Sequence, residues 1–382
     1  MRRLFLLVAA VILVDTMFYA AITPLLPTYR DELGLSKTAA GVLSGSYAAG
    51  TLLGSLPVGA LVARLGAKPT LLAGLALMSA TSVAFGFAEN IVVLDTARFL
   101  QGIGGACSWG AGLAWLIGTA PPERRGELIG GAIAAALVGV LLGPVLGGAA
   151  TLASPELVFS LVALLGSGLG IWALAMPAPP PSQRSGLRAV GRAMASRPVV
   201  IAFWLALLPS LYSGTLVVLG PLRLDEVGAG SLAIGAGFLV AAAFEGTISA
   251  MVGRVSDRRG RLIPIRLGLI GAAVMAVALP LPGTPLLLAA AIVGAVVALA
   301  GFWAPAFALL SDAGEAVGLD QGYAFALTNL AWAGGQVSGA AAGGWVAERA
   351  GDAVPYAGLA VLCSATIAAL ALSRGPRKAV DA

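Results

Sequence analysis

Three charged side chains fall deep inside otherwise apolar stretches: Asp15, Arg98 and Glu245. A charge in hydrocarbon costs about 2.5–3.5 kcal/mol on insertion scales, so such groups face a cavity or a partner. Asp15 lies about 11 residues into its stretch, roughly 16 Å from one face at 1.5 Å per residue. Arg98 lies roughly 20 Å from the same face of a ~30 Å core. The two depths are close enough to predict an Asp15–Arg98 pair that opens when Asp15 takes up a proton. A fixed structural ion pair is the alternative. Glu245 is also near mid-depth, and its counterpart in the repeat described below is Thr51, so the carboxylate is not a repeated packing position. It reads as a second protonation site or a binder of a cationic group, against a Glu that faces headgroups or a neighbouring helix.

Polar and aromatic residues at helical spacing extend this constellation. Asp15, Phe18, Tyr19 and Ile22 share one face, as do Asn329, Trp332 and Gln336. Phe302, Trp303 and Phe307 cluster, Trp204 and Tyr212 lie in one stretch, and Gln101 sits three residues beyond Arg98. They are expected to line a substrate cavity, although any one aromatic could serve helix packing or an interfacial belt. Aromatic faces beside carboxylates suit lipophilic or cationic molecules.

The elements that carry these residues must be membrane helices. Of 382 residues, 59% are hydrophobic and 11% charged, and the mean hydropathy is +0.94. Soluble domains carry roughly 25% charged residues. A spanning helix needs about 20 mostly apolar residues. Twelve stretches qualify: 4–28, 38–59, 70–87, 92–117, 128–150, 157–176, 199–222, 232–252, 264–281, 285–310, 321–346 and 355–373. The basic balance, net +5, sits between spans with no aromatic-interleaved basic face, so nucleic acid is not expected as a partner. Eighteen Lys and Arg fall on the side of the termini and four on the other. Both termini are therefore expected in the cytoplasm of a multi-pass protein of the cell's inner membrane. The N-terminal apolar run continues past Asp15 without a cleavage site and reads as the first span. Cys107 and Cys363 both lie within spans and are not expected to pair.

The chain repeats itself. Pro27-Thr-Tyr-Arg-Asp-Glu-Leu-Gly34 returns as Pro221-Leu-Arg-Leu-Asp-Glu-Val-Gly228, an offset of 194. Gly59, Arg64 and Gly66 return as Gly253, Arg258 and Gly260 at the same offset. Gly139, Gly143, Gly147 and Gly148 return as Gly335, Gly339, Gly343 and Gly344 at an offset of 196. The implied organisation is an N-terminal six-helix half over 1–176, a cytoplasmic linker over 177–197 and a C-terminal six-helix half over 198–382. Such repeats place the substrate site at their interface, near the bilayer midplane.

Three motifs carry a family resemblance. Span five reads Gly139-Val-Leu-Leu-Gly143-Pro144-Val-Leu-Gly147-Gly148, the loop after span eight reads Gly253-Arg-Val-Ser-Asp257-Arg258-Arg-Gly260-Arg261, and span four carries Arg98-Phe-Leu-Gln101-Gly102-Ile-Gly104. Together they resemble the major facilitator superfamily over the whole chain. The span-five pattern is similar to that of its proton-coupled antiporters. Asp15 followed by Pro24 and Pro27 is similar to its twelve-span drug-exporting branch, which includes vesicular amine transporters. The resemblance implies gating roles for the loops at Gly59, Arg64 and Gly66 and at Gly253, Asp257, Arg258, Gly260 and Arg261. Two positions depart from the pattern: Ala63 replaces the acidic gating residue after span two, and Ala340 stands opposite Pro144 in span eleven. Read without the family, small residues four apart let helices approach closely in lipid, so the span-five stripe could serve packing alone.

The expected fold class is an all-α membrane protein of twelve transmembrane helices in two pseudo-symmetric halves. The expected function is proton-coupled efflux of a small lipophilic or cationic compound by a monomer, with protons and lipid as its other partners. Uptake symport or facilitation of a sugar or other metabolite, and a sensor or scaffold role without transport, are the alternatives. With no His, no phosphate-binding loop and no nucleophile–base pair, neither an enzyme, a metal site nor a cofactor is expected.

Overall fold

The computed structural model describes residues 1–121, 124–177, 191–319 and 321–372. Among the described residues there are thirteen α-helices and no strand. The first span is split into α1 (Arg2–Ala20) and α2 (Ile22–Leu33). Spans two to six are α3 (Lys37–Leu65), α4 (Ala67–Gly86), α5 (Ile91–Thr119), α6 (Arg125–Leu152) and α7 (Pro155–Leu174). Spans seven to twelve are α8 (Arg197–Glu226), α9 (Ser231–Arg259), α10 (Leu262–Ala278), α11 (Pro285–Ala316), α12 (Gln321–Ala350) and α13 (Ala353–Leu372). Each expected span thus has its helix, with ends displaced by a few residues.

Local chemistry sets the ends. Ser36, Asn90 and Ser154 accept hydrogen bonds from the backbone N–H three residues on, starting α3, α5 and α7. Gly34, Gly66, Gly228 and Gly260 adopt positive φ, at 63°, 95°, 92° and 85°. These are two repeat-related pairs, so the loop glycines recur because the turn needs the left-handed region. Pro24 has no N–H and its ring opposes the carbonyl of Ala20, which divides the first span at Ala21. Pro57 accompanies a 49° bend in α3.

Among the described residues, eight spans, with α1 and α2 counted as one, are long and apolar enough to cross a bilayer by composition alone, and the bent α3 makes a ninth. Helices α5 and α12 are less apolar for a structural reason. They bury Arg98, Gln101 and Ser108, and Gln336, against neighbouring helices, and so present less surface to lipid.

The halves repeat in packing as well as in sequence. In the first, α1 packs on α6, α3 and α4 on α5, and α4 on α7; in the second, α8 packs on α12, α9 and α10 on α11, and α10 on α13. The halves meet where α3 crosses α12 and where α6 crosses α9. The twofold relation exchanges these two crossings. The glycine stripes carry close helix approaches. A Cβ on Gly139 would stand 2.5 Å from the Leu13 carbonyl and 3.0 Å from Thr16, and one on Gly335 would stand 2.5 Å from the Leu207 carbonyl and 2.6 Å from Ser210. Gly143 faces Ala20, Gly147 faces the Ala21 carbonyl and Pro24, and Gly343 faces Thr215. The span-five stripe therefore holds α6 against the break in the first span.

Most of the expected linker, residues 178–190, lies outside the described residues. Its end does not: Ala193 is buried in a cluster with Val199, Ala202, Leu310 and Leu327, so it packs on the second half.

Candidate functional site

Asp15 is fully buried on α1, and its carboxylate turns inward toward α3 and α5. The Tyr47 hydroxyl on α3 donates to Asp15 Oδ2 at 2.8 Å. The Trp109 side chain on α5 hydrogen-bonds the same carboxylate. Gly105 makes the space: a Cβ there would collide with the Tyr47 hydroxyl and stand 3.0 Å from Asp15 Oδ1. The donors are neutral, and among the described residues no cation lies within ion-pair distance of Asp15.

The expected Asp15–Arg98 pair is therefore not made. Arg98 is also fully buried, but it is held elsewhere. Nη1 donates to the Phe18 carbonyl at 3.3 Å and to Gln101 Oε1 at 3.0 Å, and Nη2 donates to the Tyr19 carbonyl at 3.0 Å. These carbonyls lie just before the break at Ala21, where regular i to i+4 bonding is interrupted, and the guanidinium supplies them with donors. Its carbon lies 5.3 Å from the centre of the Tyr47 ring, 5.9 Å from Tyr19 and 6.0 Å from Phe85. Tyr47 stands between the two charged groups, with its hydroxyl on one and its ring against the other.

Tyr19 and Tyr47 meet the second half through one residue. Their rings are 4.8 Å apart, and Trp332 of α12 lies 5.4 Å from Tyr19 and 6.4 Å from Tyr47. Glu245 of α9 is half-buried within electrostatic range of the Tyr19 hydroxyl. Among the described residues it has no hydrogen-bond or ion-pair partner. Asn329 is half-buried about one turn before Trp332. Trp303 is half-buried and packs edge-on against Phe307 at 5.8 Å.

Other expected lining residues point away from this junction. Phe18 is buried in an aromatic cluster with Phe85 and Phe159, at 5.8 and 5.0 Å, because the helix turn that aims Tyr19 at the second half aims Phe18 into the first. Gln101 is fully buried and positions Arg98 rather than lining a cavity. Gln336 is 4% exposed and faces Ser213 of α8. Phe302 is fully buried against Gly268 of α10. Tyr212 is fully buried on α8. Trp204 donates to Thr366 Oγ1 of α13 at 3.0 Å, on the flank of the bundle. Asn90, not Asp95, caps α5; Asp95 lies inside the helix beside Ser46.

The two ends of the bundle differ. At the end away from the termini, Lys37 of α3 reaches Asp352 at 2.7 Å and Glu226 at 3.2 Å, and Arg30 reaches Glu226 at 3.3 Å. The Thr38 N–H donates to Glu348 at 2.8 Å. All four contacts join the halves, two of them through Glu226. At the terminal end the ties among the described residues stay within a half. Lys68 donates to the Leu174 and Met176 carbonyls, Arg266 to the Leu370 carbonyl, and Arg261 pairs with the solvent-exposed Asp312 at 2.7 Å. Of the gating-loop residues, Gly59 has nothing within 4 Å of a Cβ position, Arg64 and Arg258 are exposed, and the Asp257 side chain lies outside the described residues.

A twelve-span bundle of two related halves, with its buried charges gathered near their junction, is the architecture of a membrane transporter. The sequence model described as the Major Facilitator Superfamily matches residues 8–319, and the chain belongs to that superfamily. It is therefore a multi-pass membrane protein of a superfamily of transporters. Among curated relatives, a probable vesicular acetylcholine transporter-B of Danio rerio is 35% identical over 157 residues, 38% of this chain and 32% of that protein. A synaptic vesicular amine transporter of Homo sapiens is 31% identical over 122 residues, 32% of this chain and 24% of that protein. The matched regions thus span a third or less of these relatives' lengths. Two solved structures share the fold. The xylose transporter XylE from E. coli, in a partially occluded inward-open conformation, aligns with a TM-score of 0.75 at 14% identity over 100% of this chain and 99% of that one. A bacterial homologue of the human lysosomal transporter Spinster, in an inward-facing conformation, aligns with a TM-score of 0.73 at 16% identity over 97% and 94%.

Proposed function

We propose that the chain is a proton-coupled exporter of a small lipophilic or cationic organic compound, working as a monomer in the cytoplasmic membrane. The observation that carries this reading is the setting of Asp15. A carboxylate held only by neutral donors, inside a bundle and beside the junction of two halves, can gain and lose a proton without breaking an ion pair. Arg98 contributes positive potential from behind Tyr47 and braces the broken helix. Glu245, without a protein partner among the described residues, is available to a cationic group or a second proton. Tyr19 and Trp332 offer ring faces next to it. The antiporter-like stripe in α6 and the partial likeness to vesicular acetylcholine and amine transporters favour exchange against protons over uptake.

The excess of Lys and Arg on the terminal side assigns both termini to the cytoplasm. The ion pairs around Glu226 and Lys37 then close the outer end, and the conformation is inward-facing. Export follows when the bundle rocks, breaks these contacts and turns the junction outward. The halves that move are 1–176 and 198–382, with 177–197 as the tether between them.

The test is transport in proteoliposomes under an imposed pH gradient, with ethidium and other organic cations as probes. Wild type accumulates a probe against the gradient. Asp15→Asn loses gradient-driven accumulation, and Glu245→Gln narrows the range of cationic probes. Full gradient-driven transport by Asp15→Asn would end the proposal.

A further inference from the structure

Asp15 and Arg98 do not touch, yet one side chain contacts both. Tyr47 donates its hydroxyl proton to Asp15 Oδ2 at 2.8 Å. The same ring lies 5.3 Å from the Arg98 guanidinium carbon, 4.8 Å from Tyr19, and 6.4 Å from Trp332 in the other half. Tyr47 is 3% exposed and Asp15 fully buried. The hydroxyl has one proton, so donating to a charged Asp15 fixes its direction; a protonated Asp15 no longer requires that donation.

The helix that carries Tyr47 is itself a cross-half element. Gly41 and Gly45 of α3 pack on Ala340 of α12, and a Cβ on Gly102 of α5 would collide with the Tyr47 carbonyl and stand 2.9 Å from the Thr51 nitrogen. With the backbone gripped on both sides, the adjustment available to Tyr47 lies largely in its side chain, between the Asp15 carboxylate and the Trp332 face.

We infer that Tyr47 is a positioning residue which senses the charge on Asp15 and transmits it to the contact between the halves at Trp332. This rests on the reading of Asp15 as the proton carrier. The ionisable groups facing Asp15 are Tyr47 from α3 and Arg98 from α5, with Tyr19 on its own helix; Trp109 of α5 supplies a non-titrating donor, and Glu245 of α9 lies beyond Tyr19. In the charged state Tyr47 is pinned to Asp15 and turns its ring toward Arg98. In the neutral state its hydroxyl is free to rotate, and the Tyr19–Tyr47–Trp332 contact loosens.

The test uses the full chain in lipid, with two readouts that need no identified substrate. The first is infrared titration of the carboxylic acid band that Asp15→Asn removes. The second is the distance between spin labels at Glu32→Cys and Leu281→Cys, at the end away from the termini, in a background of Cys107→Ala and Cys363→Ala. Tyr47→Phe keeps the ring and removes the donor that favours the charged carboxylate. The infrared midpoint is expected to move to higher pH by about one unit, the order a lost charge-assisted hydrogen bond gives. The distance change should follow it by the same interval. Trp332→Phe should leave the infrared midpoint in place and shrink the pH-dependent distance change at least twofold.

An unmoved infrared midpoint in Tyr47→Phe would overturn the inference. So would a distance change that keeps its wild-type midpoint while the infrared band moves. If Asp15→Asn removes the band but leaves gradient-driven ethidium transport intact, the proton-carrier reading fails by itself, and the infrared shift still reports on the Tyr47–Asp15 contact.

Discussion

Lys37 and Asp352 are 315 positions apart in the chain, and their side chains meet at 2.7 Å. Lys37 is the first residue of α3, and Asp352 lies in the turn between α12 and α13. Both are about four-fifths buried, and Lys37 reaches Glu226 as well. The contact ties the halves together at the end away from the termini.

Loosening this tie should favour the opposite-facing state. A partly exposed ion pair contributes about 1 kcal/mol, and 1 kcal/mol is roughly a fivefold change in a two-state population. Glu226→Gln weakens contacts to Arg30, Lys37 and Arg223 together. Distances between labels at Glu32→Cys and Leu281→Cys should then show a longer component increased about fivefold. A distance distribution identical to that of the unaltered chain would contradict this assignment.

The stripe in α6 predicts a graded sensitivity to added side-chain volume. A Cβ at Gly143 would overlap Ala20 and stand 2.9 Å from its carbonyl carbon, whereas one at Gly130 meets nothing within 4 Å. Overpacking of a tight contact costs about 1–3 kcal/mol. Gly143→Val should lower the thermal midpoint in detergent and reduce transport, while Gly130→Ala leaves both unchanged. Equal midpoints for the two variants would show that the α1–α6 approach is not tight.

The loop glycines divide by conformation. Gly66 and Gly260 have positive φ, and Gly59 does not and has open space around it. Left-handed backbone costs a non-glycine residue about 1–2 kcal/mol. Gly66→Ala and Gly260→Ala should each destabilise by that amount in thermal unfolding, and Gly59→Ala should cost less than about 0.5 kcal/mol. A large stability loss at Gly59 would reveal a contact made only in another conformation.

Gly105 tests the space that Asp15 requires. A Cβ there would displace the Tyr47 hydroxyl from Asp15. Gly105→Ala should behave like Tyr47→Phe in the infrared titration, with the acid band moved to higher pH by about one unit, and should lose gradient-driven ethidium transport. A titration matching wild type would show that the pocket accommodates the methyl group without losing the bond.

Much of this molecule is readable in its residues. Apolar stretches of membrane length recur at one offset, because each span must satisfy its own backbone in lipid and so announces itself locally. The same logic exposed Asp15, Arg98 and Glu245, since charges are rare where solvent is hydrocarbon. The glycine stripe in α6 was legible as a close approach, although the break it grips at Ala21 was not. Tyr47, Trp109 and Gly105 left a fainter trace. Tyr47 lies about ten residues into its span, near the depth of Asp15, and a phenol at that depth was the available signal.

What the order of amino acids determined alone was the number of spans, their pairing by repeat and the depth of each charge, because these depend on hydropathy and 1.5 Å per residue. Which way a side chain points around its helix was decided only by assembly. Phe18 and Tyr19 are neighbours in sequence and end in different compartments, and Arg98 answers two backbone carbonyls rather than the carboxylate at its own depth. Depth is a property of one helix; azimuth is a property of the neighbours it packs against, and those neighbours come from segments tens to hundreds of residues away.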